Sequence, residues 1–215
     1  MFKRNQVEAA LSAVLEPKST EPSPELRSRL KRLLETDRSL GRNLRSSDPE
    51  KANFAFYSEE SPGSGVEIWF SGYESLALLN GLQLIGHGWT QGFAVSVLRR
   101  VRPDLEKEHA RILKLDQKWL FDQEEIRRRV QQGDAWFNNR DPVLLTIVSS
   151  YGQAIHQQRS PVACSVHRGT DDAMTWVMNV TKGVGGGSSM FEQTSITHEL
   201  ADKLERTKPQ RRGRS

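Results

Sequence analysis

A single cysteine, Cys164, stands among the 215 residues, so no internal disulfide can brace this chain. No apolar run approaches the ~20 residues that a membrane-spanning helix needs. The N-terminal stretch MFKRNQVEAAL is too polar for a secretory signal. The expected compartment is therefore a reducing cytoplasm, with no membrane association. A strong excess of either charge is also lacking. The net charge is +4 and the isoelectric point about 9.3, which permits a nucleic-acid partner without requiring one. The five histidines, His87, His109, His156, His167 and His198, show neither the i,i+4 pairing nor the cysteine partners of a metal site, so no metal or cofactor is expected. Cys164 with His167 or His156 lacks a third residue spaced to orient the imidazole, and an enzyme is not expected. The glycine tract GVGGGSS, Gly183 to Ser189, lacks the Lys-Ser/Thr of a phosphate-binding loop and reads as a flexible connector.

What the chain does have is periodicity. From Tyr73 to Pro103, Leu76, Leu79, Leu82 and Ile85 recur at the spacing of one helical face, and Leu78 and Leu84 broaden it. Gly86-His87-Gly88 ends this helix, and the hydroxyl of Thr90 can cap the next one. The second helix turns Phe93, Ala94, Val97, Leu98 and Val101 inward. It is expected to send Arg99, Arg100 and Arg102 outward and to close at Pro103.

Ahead of this pair, Val7, Leu11, Val14 and Leu15 mark a short helix ending at Glu16-Pro17. Ser23-Pro24-Glu25 then supplies an N-cap, a proline at the first helical position and an acid beside the positive end of the dipole. Over Pro24 to Ser39, Leu26, Leu30, Leu33 and Leu34 form one stripe, while Arg27, Ser28, Lys31, Arg32 and Arg38 point away from it. Arg42, Arg45 and Lys51 continue the basic character. Asn53–Tyr57 and Val66–Phe70 are aromatic and β-branched runs joined by Pro62-Gly63-Ser64-Gly65, which predicts a β-hairpin.

Beyond Pro103, Asp104 is expected to start a further helix, and Asp116 to Asp134 reads as helix in pieces. Trp136 to Pro142 reads as a boundary loop. Val143–Val148 has the continuous apolar character of an interior strand, with Pro161–His167 as its neighbour. A short helix or strand follows from Thr170, and a last helix from about Ser195 buries Ile196, Leu200 and Leu204. The tail carries Lys208, Arg211, Arg212 and Arg214 with no acid among them, so it is expected to be disordered and cationic.

Three segments carry a likeness to a known family. They are Ser71-Gly72-Tyr73-Glu74-Ser75-Leu76 entering the helix pair, Leu82-xx-Ile85-Gly86-His87-Gly88-Trp89-Thr90 at its turn, and Val97-Leu98 in its second helix. With the hairpin before them, they resemble the winged-helix DNA-binding domain of the MerR family of transcriptional regulators over roughly the first half of the chain. The chain departs from that family in the linker Pro17 to Ser23, and in lacking an Arg-Tyr-Tyr segment and an evident long dimerisation helix between Asp104 and Asp134. The resemblance implies that the Pro24 helix takes the recognition position, with Arg27, Ser28, Lys31 and Arg32 as contacts and the hairpin as the wing.

The expected fold class is α+β. A mostly helical winged helix-turn-helix domain with a β-hairpin covers residues 1–134, a small α/β domain covers 141–206, and the basic tail covers 207–215. The expected function is binding of duplex DNA, in transcription regulation, through Arg27, Ser28, Lys31, Arg32, Arg38, Arg42, Arg45, Lys208, Arg211, Arg212 and Arg214, with a homodimer as one expected assembly. The competing expectation is a protein-interaction module with neither nucleic-acid binding nor catalysis.

Overall fold

The computed structural model describes residues 1–58, 68–134, 137–150, 163–181 and 186–208. The chain mixes helices with two small sheets, as an α+β fold does. It divides into two compact units, residues 1–100 with 199–215, and residues 101–198.

The first unit is helical. Its elements are β1 (Phe2–Lys3), α1 (Arg4–Leu15), α2 (Pro24–Leu40), α3 (Pro49–Ala52), β2 (Trp69–Phe70), α4 (Gly72–Gly86) and the first part of α5 (Gln91–Ile112). Helix α4 is its centre. It begins in a capping box: the Ser71 hydroxyl accepts from the Glu74 N–H, and the Glu74 carboxylate accepts from the Ser71 N–H at 2.6 Å. Leu76, Leu78, Leu79, Leu82 and Leu84 are all buried, each worth ~1.5–3 kcal/mol relative to exposure. Helix α2 packs against α4 through Leu26, Leu30, Leu33 and Leu34. Gly81 makes this approach close, because a Cβ there would lie 3.0 Å from Leu33 Cδ1 and 3.3 Å from Phe56 Cζ. The α4–α5 turn forms as expected. Gly88 takes a φ of +89°, and Thr90 Oγ1 accepts from the Phe93 N–H at 3.4 Å.

Three expectations are corrected over β2, the 53–57 segment and α5. Arg99 and Arg102 are buried rather than outward, and Arg100 is half-buried. The Arg99 Nε donates to Asp37 Oδ1 at 2.6 Å, and its Nη1 donates to the Gly41 carbonyl at 2.7 Å. Asn53–Tyr57 is not a hairpin strand. The N–H groups that a neighbouring strand would use are taken by the Asp37 carboxylate, from Ala55 at 2.9 Å and Phe56 at 3.0 Å. Trp69–Phe70 does form a strand, but it pairs antiparallel with β1, Phe70 opposite Phe2 and Trp69 opposite Lys3. The turn expected between the hairpin strands lies outside the described residues. Finally, α5 does not end at Pro103 but runs on to Ile112, with Leu105 and Ile112 fully buried beyond the proline. Burial of these side chains outweighs the lost hydrogen bond.

The second unit holds the rest of α5, α6 (Gln117–Leu120), α7 (Gln123–Gln131), β3 (Val143–Ser150), β4 (Ala163–Arg168), α8 (Thr170–Thr181), β5 (Gly186–Glu192) and the start of α9 (Thr194–Arg206). The sheet order is β4-β3-β5, both pairings antiparallel, so the apolar β3 lies in the middle as its composition predicts. Helix α8 packs on β3 and β4. Thr170 opens a helix, and its Asp171 and Asp172 sit where the dipole favours acids. The glycine tract is corrected in its described part. Gly186 to Ser189 are strand residues, paired with Ser150 back to Ile147.

Two stability measurements follow. Asp37→Ala leaves Arg99 and two backbone N–H groups buried without their acceptor, so urea unfolding is expected to show a loss of about 3–5 kcal/mol. Gly81→Val drives a branched side chain into Leu33 and Phe56 and is expected to cost about 1–3 kcal/mol in the same assay.

Candidate nucleic-acid interface

Helix α2 divides its residues cleanly between interior and solvent. Ser23 Oγ accepts from the Leu26 N–H at 3.1 Å, which sets the helix start. That cap is tied to α1, since the Ser23 hydroxyl donates to Glu16 Oε1 at 2.6 Å. The hydrogen bond from Ser23 leads the causes holding the Glu16 carboxyl below its usual range.

With the Leu26, Leu30, Leu33 and Leu34 stripe buried, Arg27, Lys31, Arg32 and Arg38 are exposed and Ser28 is half-buried. At ~100° per residue, Arg27, Lys31 and Arg38 fall within about 40° of one another. They form one ridge, roughly 16 Å long at ~1.5 Å per residue. Arg32 lies further round the helix, beyond Glu35. The acids near the ridge hold it weakly. Glu8 is 3.9 Å from Arg27 and Glu35 is 3.7 Å from Lys31, and both cations remain more than half exposed.

The remaining expected contacts separate into two kinds. Arg42 is half-buried and held, its guanidinium 5.2 Å from the Phe54 ring centroid and its Nη1 donating to the Ser58 carbonyl at 3.3 Å. Arg45 is exposed in the segment between α2 and α3. Lys208 is exposed just past α9, in the same unit, where the Gln6 Nε2 donates to the neighbouring Thr207 carbonyl at 2.9 Å. Arg211, Arg212 and Arg214 lie outside the described residues.

Sequence reasoning passed over the residues that shape the segment after α2. Asn43 closes its base, its N–H donating to the Lys51 carbonyl at 2.7 Å. The Asn43 side chain accepts from the Arg45 N–H at 3.1 Å, and its carbonyl accepts from the Ser46 N–H at 2.9 Å. The signal was present as Asn-x-x-Ser, a pattern suited to such a turn.

The second unit carries a different electrostatic cluster. Glu108, buried on α5, receives Arg168 from β4 at 2.9 and 3.0 Å and Arg111 at 2.7 Å, and Arg111 also pairs with Asp141. Burial pushes the Glu108 carboxyl up, but the two arginines outweigh it and hold it below its usual range. Cys164 and His167 lie three residues apart on β4 and so face opposite sides of the sheet. His167 Nδ1 instead meets Asp172 Oδ2 at 2.9 Å. His156 lies outside the described residues. Among the described residues no group of three His, Cys, Asp or Glu is placed to hold a metal ion, and no helix is long and apolar enough to cross a membrane.

Comparison of the chain with protein-family models, with curated proteins and with solved structures finds no match.

Burial pushes the His109 imidazole down to about 4 from 6.5. Between these values the unfolded chain binds a proton that the folded chain refuses, so stability falls as pH falls through the window. Glu108 adds to the loss as pH falls toward and below 4.5, where half of its carboxylate is protonated in the unfolded chain. His109→Gln is expected to flatten the profile of unfolding free energy against pH between 6.5 and 4, as read by denaturant titrations across that range.

Proposed function

We propose that the first unit binds nucleic acid, as duplex DNA, through the solvent face of α2, and that the protein acts in transcription regulation. The observation that carries this reading is the Arg27, Lys31 and Arg38 ridge, exposed along a helix whose opposite face is buried. Three cations in line along one rigid element suit the regular charges of a phosphate backbone. Arg32 and Ser28 flank the ridge and are offered as further contacts, as are Arg45 and Lys208, exposed cations of the same unit. The MerR resemblance implied α2 as the reading helix, but the hairpin it included does not form. The wing is left out, because Asn53–Tyr57 serves Asp37 instead.

The rival reading is a docking module for a partner protein. It draws on Trp69, 45% exposed on strand β2 of the two-stranded sheet.

Fluorescence anisotropy with a labelled generic duplex separates the two. If about four phosphates are neutralised, raising salt from ~50 to ~200 mM is expected to weaken binding by roughly 100-fold. Replacing Arg27, Lys31 and Arg38 together by alanine is expected to flatten the logarithmic salt slope by about 3. Absence of salt-sensitive binding by the wild-type chain removes the DNA reading. If the triple variant keeps full biological activity, the protein-partner reading takes its place.

A further inference from the structure

The segment joining α2 to α3 presents an apolar side chain where a basic surface would be expected to stay polar. Leu44 is 73% exposed. Isolated exposed leucines are ordinary, but the placement of this one is not. Leu44 and Arg45 occupy the two central positions of the turn from Asn43 to Ser46, so both project from its apex. The turn is fixed by the Asn43 side chain and at its base by the Lys51 carbonyl. From Arg38 through Ser47 the chain contains Arg38, Arg42 and Arg45 and no acid.

We propose that Leu44 is a wedge that enters between stacked bases at the end of the α2 interface, with Arg45 beside it on the backbone phosphates. The inference rests on the DNA reading and adds the mode of contact. An ordered turn with one apolar tip and a neighbouring cation has the two parts such insertion needs, a side chain to replace lost stacking and a charge to hold the strand. The same chemistry suits an anionic lipid surface poorly, because stable membrane binding draws on a broad apolar face rather than one leucine.

The test uses the full chain and a duplex carrying 2-aminopurine at several TA steps, which unstack readily. On binding, the wild-type protein is expected to raise 2-aminopurine fluorescence. Leu44→Ala is expected to abolish that rise and weaken binding by roughly 5- to 10-fold, while Leu113→Ala, which removes an exposed leucine of the second unit, does neither. Because Leu44 is exposed, its variant keeps the fold, which circular dichroism checks. If the duplex binds with normal salt dependence but Leu44→Ala leaves fluorescence and affinity unchanged, the wedge is wrong and the DNA reading stands. If the wild-type chain binds phosphatidylserine vesicles and no duplex, both are wrong.

Discussion

The carboxylate of Asp37 is fully buried, and the first unit is arranged around it. Four N–H groups converge there or on its own carbonyl: those of Ala55 and Phe56, and two from the Arg99 guanidinium. A charge in such a position is tolerable only when its lone pairs are occupied and an opposite charge stands beside it. Meeting that demand joins the last turns of α2, the 53–57 segment and the middle of α5. Phe54 and Phe56 are carried into the core with it, and the Arg99 guanidinium lies 5.4 Å from the Phe54 ring centroid. The C-terminal turns of α2 are thereby tied to both other segments.

Local patterns conveyed much of this fold. The α2 and α4 stripes, the Gly88 turn, the Thr90 cap and the central place of β3 all follow from spacing and composition within about twenty residues. What escaped were features in which a distant partner overrides local preference. Asn53–Tyr57 has the aromatic character of a strand, yet the Ala55 and Phe56 N–H groups belong to a carboxylate 18 and 19 residues earlier. Arg99 looks like a surface arginine at a helix end until Asp37 is placed. Strand β1 is two residues long, too short for any periodicity to mark.

The candidate interface divides in the same manner. Exposure of Arg27, Lys31 and Arg38 could be read from the stripe opposite them, because a helix with one buried side leaves the other to solvent. That Arg42 is held by Phe54 and Ser58 could not, since both partners come from a segment expected to be a hairpin strand and its turn. Nothing in the sequence marks Leu44, because a lone leucine in a polar stretch has no period.

Pro103 has a wider consequence. It carries no N–H, so the Arg99 carbonyl lacks the donor that an unbroken helix supplies four residues on. This missing rung spans the division between Arg100 and Val101 where the two compact units part. Side-chain burial on either side of the proline, Leu98 before it and Leu105 after it, holds the helix where the backbone ladder has a gap.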